Sequence, residues 1–382
     1  MFPSSTDTHV DVAVVGAGIV GLAHALAAAR RGWKVAVFER HPWAVGASIR
    51  NFGMIWPIGQ PQGALLDRAL RSRQIWLELT EQAGIPIEAC GSLHLARHPE
   101  EWAVIEEFVA TRREAGYEIH LLNPAETLAR SPAVVAEGLL GSLWSGTEMT
   151  VDPRQAIRQL PHYLVERYGV RFYWGQVVTE INAPHLLAGG QRWQADQILV
   201  CSGADFETLY PQIFAESGIT KVKLQMMRTG PQPDGFRIGP SLCGGLTLTH
   251  YAAFSHCSSL ESLKERIQLE TPYFPTWGIH VMVSQNRQGE LTIGDSHEYG
   301  PNPEPFDRAF INQYILDYLK TFAQVPDLSI AESWHGVYAK LLGQTEFIHT
   351  PEAGVLIVNA LGGAGMTLSF GLAEEVVAGW TG

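Results

Sequence analysis

The chain has 382 residues, room for two or three domains of roughly 150 residues each. Hydrophobic residues make up 46% and charged residues 17%, a balance that excludes intrinsic disorder. Lys and Arg number 27 against 39 Asp and Glu, with no basic run, so nucleic acid is not expected as a partner. Glycine is the residue most out of proportion, at 38, and its placement decides whether it serves loops or a ligand.

The opening MFPSSTDTHVD lacks a charged region followed by an unbroken apolar run, so no signal peptide is read there. Val12 to Ala29 carries no formal charge and approaches the length of a membrane span, but Gly16, Gly18 and Gly21 interrupt it. A buried strand turning into a helix fits better, and no membrane span is expected. The four cysteines, Cys90, Cys201, Cys243 and Cys257, are widely spaced with no Cys/His metal spacing. Free thiols, a cytoplasmic location and no metal follow as expectations.

Residues 11–16 read as a short apolar strand, Gly16-Ala17-Gly18-Ile-Val-Gly21 as a tight turn, and the next stretch as a helix to about Arg31. A second strand, Lys34–Phe38, ends at Glu39, which lies 18 residues after Gly21. Gly16 makes the turn, Gly18 lets backbone approach a pyrophosphate, and Gly21 lets helix and strand pack closely. The helix start offers N–H groups to the phosphates, and Glu39 is placed for the ribose hydroxyls. Its charge would repel a 2′-phosphate, which argues against NADP. Ala17 within the turn and Arg40 after the acid complete the expected adenine dinucleotide site.

Further along, 65–83 and 100–116 show helical apolar spacing, Asn123 to Pro132 reads as a connection, and Arg154 to Tyr168 as a helix. Asp196–Cys201 is an apolar strand ending in the turn Ser202-Gly203-Ala204. Residues 246–251, 279–284 and 290–294 read as strands of a β-rich block. Pro301 to Pro305 is a linker before a helix at about 307–323. Val355–Leu361 is a last strand, followed by Gly362-Gly363-Ala364-Gly365-Met366-Thr367 and a helix through about Ala378. A nucleotide motif at one end and a second strand–Gly–helix junction at the other suit one long cofactor touching both. That favours FAD over NAD. A helix N-terminus at Gly363–Gly365 would also stabilise the negative charge of a reduced flavin at its pyrimidine edge.

The chain resembles the FAD-dependent oxidoreductases that include D-amino-acid oxidase, glycine oxidase and sarcosine oxidase. The resemblance spans essentially the whole chain and rests on VVGAGIVGLAHALAAARRGWKVAVFER (14–40), GASIRNFGMI (46–55), TVDPR (150–154), ILVCSGA (198–204) and LGGAGMTLSFGLAEEVV (361–377). It implies an α/β fold: a discontinuous Rossmann-like FAD domain (1–85, 145–215 and 328–382) and an α+β substrate domain with a large, mostly antiparallel sheet (86–144 and 216–327). It implies that Ser48, Arg50, Asn51 and Gly53 lie along the flavin or pyrophosphate. Val178 would meet the adenine through its backbone, and Gly363 to Thr367 the pyrimidine end.

The activity implied is amine oxidation: hydride transfer to flavin N5, hydrolysis of the imine, and reoxidation by dioxygen or another acceptor. In glycine and D-amino-acid oxidases, the stretch matching Trp334–Lys340 resembles Gly-x-Arg-Pro, with the arginine forking the substrate carboxylate. Tyr338 stands there instead. Sarcosine oxidases resemble Cys-x-Tyr at this place, the cysteine being joined to FAD; Gly336 replaces it, so noncovalent FAD is expected. Tyr338 and Lys340 share a strand face and are the expected anchors of a substrate anion. His280 joins them as a candidate site residue, with Tyr251 and His297 read as either site or core; Gly294-Asp295 reads as a strand end. GSLHLAR (91–97), GDSHEYG (294–300) and WHGVYAK (334–340) look like a bacterial subgroup proposed for aminophosphonate breakdown. The expected substrate is a small amine bearing an anionic group: an amino acid, an N-methyl amine or an aminophosphonate. The alternatives are a flavin dehydrogenase with another acceptor, a flavin monooxygenase, for which no second GxGxxG is present, and a non-catalytic flavoprotein.

Overall fold

The computed structural model describes residues 8–113 and 115–380. The first glycine motif sits in a βαβ unit: strand His9–Val15, helix Ile19–Arg30 and strand Val35–Glu39. The two strands pair in parallel, Val12 opposite Val35 and Val15 opposite Phe38. Strand Gln191–Val200 lies parallel on the far side of the first, and Val355–Asn359 parallel beyond it; Arg171–Trp174 pairs in parallel with the second. Parallel strands gathered from 9–39, 171–200 and 355–359 thus form one eight-stranded sheet with the hairpin strands Val178–Asn182 and His185–Ala188 and the edge strand Phe347–His349.

Strand periodicity divides the faces of this sheet. Val12, Val14, Val35 and Val37 pack under helices Ile19–Arg30, Ala64–Ala83, Pro153–Tyr168 and Gly365–Ala378, against Leu22, Leu26, Trp76, Leu160 and Leu372. Ala13, Ala36 and Phe38 face a second core with Trp193, Val200 and Ile357. Helices Ile19–Arg30 and Gly365–Ala378 lie against each other, which sets the two glycine junctions side by side.

A nine-stranded, mostly antiparallel sheet forms the other half, with Ile219–Pro231 paired along almost its whole length to Ile330–Leu341. Its core joins Leu93, Leu143, Leu242, Val283 and Ile293 to helical residues Phe108, Leu263, Ile311 and Ile315. Among the described residues no helix is long and apolar enough to cross a membrane, and all four cysteines are free.

Two expectations need correcting. Residues 246–251 are not a strand: Thr247–His250 is a helical turn, followed by a 3-10 turn at Ala252–His256. The Leu-Thr-Leu-Thr alternation is overridden by the Gly244-Gly245 turn, whose first carbonyl accepts the Thr247 N–H at 3.0 Å and the Thr247 hydroxyl at 2.6 Å. Residues 123–132 are not only a connection, because Pro124–Arg130 is a helix with Asn123 and Glu126 in a reciprocal capping box. Strand Ile330–Leu341 belongs to the nine-stranded sheet, so by sheet membership we propose moving the boundary at 328 to about 342.

Candidate active site

Between the two sheets runs a cavity of about 560 Å³. It extends from Glu39, Arg40 and Val178, past both glycine junctions, to His250, His280 and Tyr338.

At the first junction the backbone leaves no room for side chains. Gly16 has φ +102°, and a Cβ there would lie 2.4 Å from the Cys201 carbonyl oxygen. A Cβ on Gly21 would lie 2.0 Å from the Gly16 oxygen, so Gly21 serves close packing behind the cavity wall. Glu39 is 9% exposed. One of its oxygens accepts the Ala17 N–H at 3.0 Å and the other the His41 N–H at 3.0 Å. Arg40 pairs with Asp205 at the rim, closing the Ser202-Gly203-Ala204 turn against the second strand. Ser48 accepts the Ile19 N–H at 2.9 Å, so the 47–49 turn is tied to the helix start.

Arg50, Asn51 and Ser48 line the cavity, as do Val178, Gly203 and Gly363 to Thr367. Asn51 also organises its own loop, donating to the carbonyls of Ala47 and Ser48 and accepting the Gly53 N–H. Arg50 donates to the His335 carbonyl at 3.2 Å. Gly53 does not line the cavity: with φ +72°, its missing Cβ makes room for the Val151 carbonyl, 1.8 Å away. At the second junction no side chain caps helix Gly365–Ala378, and a Cβ on Gly365 would lie 3.4 Å from Ile19 Cγ2. Thr367 accepts the Trp56 N–H at 2.9 Å, and Asn359 donates to the Gly203 carbonyl at 3.0 Å. The two helix starts face one elongated cleft.

The far end is polar. Tyr338 and Lys340 are both on the cavity face of strand Ile330–Leu341, against the Gly362-Gly363 turn. A Cβ on Gly363 would stand 3.7 Å from the Tyr338 hydroxyl. Burial, with nearby Asp295 and Tyr299, pushes the Tyr338 hydroxyl well above its usual pKa, so it remains a hydrogen-bond donor. Lys340 reaches toward Tyr299, Nζ to hydroxyl 3.5 Å.

Opposite them, His280 lies just before strand Met282–Gln285, and its backbone pairs with that of Asp295. His280 Nε2 is 3.1 Å from Asp295 Oδ1, and His297 Nε2 is 3.9 Å from Asp295 Oδ2. His250, open to the cavity, packs its ring 3.8 Å from that of His280. Burial drives His280 well below the ordinary imidazole value and His297 down to about 4, while it drives Asp295 well up. The rings of His280 and His297 are neutral at pH 7. Asp295 and His250 are brought to His280 by sheet pairing and a loop, and no local spacing in the sequence marks either as a site residue.

A family model described as "FAD dependent oxidoreductase" matches residues 11–378. The chain belongs to this family. FAD is therefore its cofactor, held noncovalently as is typical of the family. Glycine oxidase of Geobacillus kaustophilus is 26% identical over 347 residues, covering 86% of this chain and 81% of the relative. The solved structure of glycine oxidase from the same organism has a TM-score of 0.76 at 21% identity, covering 97% of this chain and 94% of the other. L-proline dehydrogenase from P. horikoshii has a TM-score of 0.77 at 19% identity, covering 97% and 93%. The mixed α/β fold with large sheets is common to them.

Proposed function

We propose that the protein oxidises a small amine carrying an anionic group, and that Tyr338 and Lys340 anchor that group. The observation that carries this reading is their common position on the cavity face beside the second glycine junction, the end at which the resemblance expects the flavin ring. The cleft fits FAD: Glu39 would hold the ribose, the Gly16–Gly18 turn and helix start the pyrophosphate, and Gly363 to Thr367 the pyrimidine edge.

Bound FAD supplies the two-electron acceptor, which takes a hydride equivalent from the carbon bearing the amine. The chain supplies orientation. The Tyr338 hydroxyl donates to the anion, Lys340 adds charge from the rim, and the buried neutral rings of His280 and His297 keep bulk water from one wall. The released imine then adds water and parts into a carbonyl compound and an amine.

Without the arginine fork, a planar carboxylate has no preferred bidentate partner, and a tetrahedral phosphonate suits a hydroxyl and an ammonium equally well. An amino acid, an N-methyl amine and an aminophosphonate are the substrates to compare, with dioxygen or another acceptor reoxidising the flavin. The location we propose is cytoplasmic. A screen of matched carboxylate and phosphonate amines, read by peroxide release and by an artificial electron acceptor, tests this. Turnover of an anionic amine supports the reading. Turnover restricted to amines without an acid group, or to non-amine substrates, overturns it.

A further inference from the structure

The cluster opposite Tyr338 is built more elaborately than an inert wall requires. His250 ends the helical turn Thr247–His250, His280 leads into strand Met282–Gln285, and His297 follows strand Glu290–Gly294. Each offers a ring nitrogen within 4.8 Å of the others. The ring centroids are 3.8, 4.7 and 5.2 Å apart.

A neutral imidazole has one donor and one lone pair, and its hydrogen bonds fix which nitrogen is which. His297 Nδ1 lies 3.0 Å from the Gly278 carbonyl, a contact that only N–H makes favourably. Its Nε2 is therefore a bare lone pair, and it points toward a carboxylate oxygen 3.9 Å away. A lone pair and a carboxyl oxygen set this way call for a positive centre between them, a proton on the carboxyl or a metal ion. His280 Nδ1 is buried without a hydrogen-bond partner among the described residues, its Nε2 being the nitrogen 3.1 Å from Asp295 Oδ1, and the His280 side chain is only 4% exposed.

Lone pairs converging beside a buried carboxylate lack one thing, a cation. A histidine whose other nitrogen is bonded to a backbone carbonyl, and another set against a carboxylate, are the outer supports that metal-ligating imidazoles use.

We propose that His250, His280 and His297, with Asp295, bind one divalent first-row transition metal ion, with Zn²⁺ as the reference ion. Three nitrogens and one carboxylate oxygen make a tetrahedral set at about 2.0–2.2 Å from zinc. Reaching it requires the rings to close by roughly 1–1.5 Å, within the range of small side-chain rotations because His250 borders open cavity.

The other groups facing the cluster are Tyr251, Tyr299, Tyr338 and Lys340. Lys340 is the one cation among these groups. It opposes metal binding, and the Asp295 carboxylate offsets it. The proposal departs from the spacing-based expectation of no metal, since the ligands come from three segments that no linear motif joins. The site stands on its own geometry and does not depend on which substrate is oxidised.

The holoenzyme, stripped with a chelator and shown to retain FAD, is dialysed against Zn²⁺ and separately against Co²⁺, and bound metal is counted by mass spectrometry. One ion per chain is expected, with micromolar or tighter affinity and a rise in Tm on adding Zn²⁺. His250→Ala removes a ligand at an open position where folding is not at stake, and it should weaken binding at least tenfold. His297→Gln should do the same, while His256→Ala, on an exposed turn, should change nothing. Substoichiometric metal, or binding equal in wild type, His250→Ala and His297→Gln, overturns the proposal.

Discussion

Replacing Glu39 with Gln perturbs one atom type at the best-defined point of the cofactor cleft. Both carboxylate oxygens already accept a backbone N–H, from Ala17 and from His41, each at 3.0 Å. A carboxylate has about four lone-pair sites, so roughly two remain for the ribose hydroxyls. Glutamine keeps one oxygen and turns its NH₂ toward one of the two N–H groups, donor against donor. A hydrogen bond to a charged group contributes about 1.5–3 kcal/mol. Losing the charge and one acceptor should cost about 3 kcal/mol of FAD affinity, roughly 100-fold in Kd. The assay is titration of apo-protein with FAD, followed by flavin fluorescence, with kcat measured at saturating FAD. The expected result is a large rise in Kd with kcat nearly intact, because Glu39 is at the adenine end. A Kd change below about threefold, or a fall in kcat at full occupancy as large as the affinity loss, would refute the placement.

Three further expectations follow from particular contacts. Gly21→Ala should abolish soluble holoenzyme, because its Cβ meets the Gly16 carbonyl oxygen at 2.0 Å, and backbone cannot give way; a soluble variant with normal FAD content contradicts this. Tyr338→Phe and Lys340→Met should each raise KM for the anionic substrate by about tenfold, a charge-assisted hydrogen bond's worth, with smaller change in kcat. Unchanged KM in both removes the anion anchor. Burial pushes the Asp205 carboxyl up, but hydrogen bonds from Thr208 and Arg40 outweigh it and hold the pKa at about 2 against 3.8. A depressed pKa stabilises the folded state fully above 3.8, and that stabilisation is lost as pH falls toward 2. Asp205→Asn should therefore be less stable by about 1 kcal/mol at pH 6, after discounting for its partial exposure, and the gap should narrow below pH 3.8 in denaturant titrations. A gap that is constant with pH rules this out.

Much of the cofactor half is legible in the sequence because its constraints are local. Gly16, Gly18 and Gly21 fall at fixed offsets between an apolar strand and a helix, and Glu39 at the end of the next strand is a short-range consequence. Gly53 reads in the sequence as a cofactor residue, yet its missing Cβ makes room for the Val151 carbonyl, a contact across about a hundred residues that spacing cannot reveal. The helix Pro124–Arg130 was announced by Asn123, Pro124 and Glu126, but the prolines at either end masked it. The polar end of the cleft is the opposite case. His250, His280, Asp295 and His297 meet because antiparallel strands and two turns fold them together, and isolated histidines look alike in a sequence whether they line a site or a core. Asp295 read as a strand end because it is one; its importance lies in what stands 3.1 Å away.

The most direct measurement is anaerobic mixing of the oxidised holoenzyme with anionic amines while the flavin absorbance is followed. Full bleaching of the oxidised flavin by at least one such amine, with one imine-derived carbonyl product per flavin, is the predicted result. An oxidised flavin that persists with every anionic amine, but is bleached by a substrate without an amine, contradicts it.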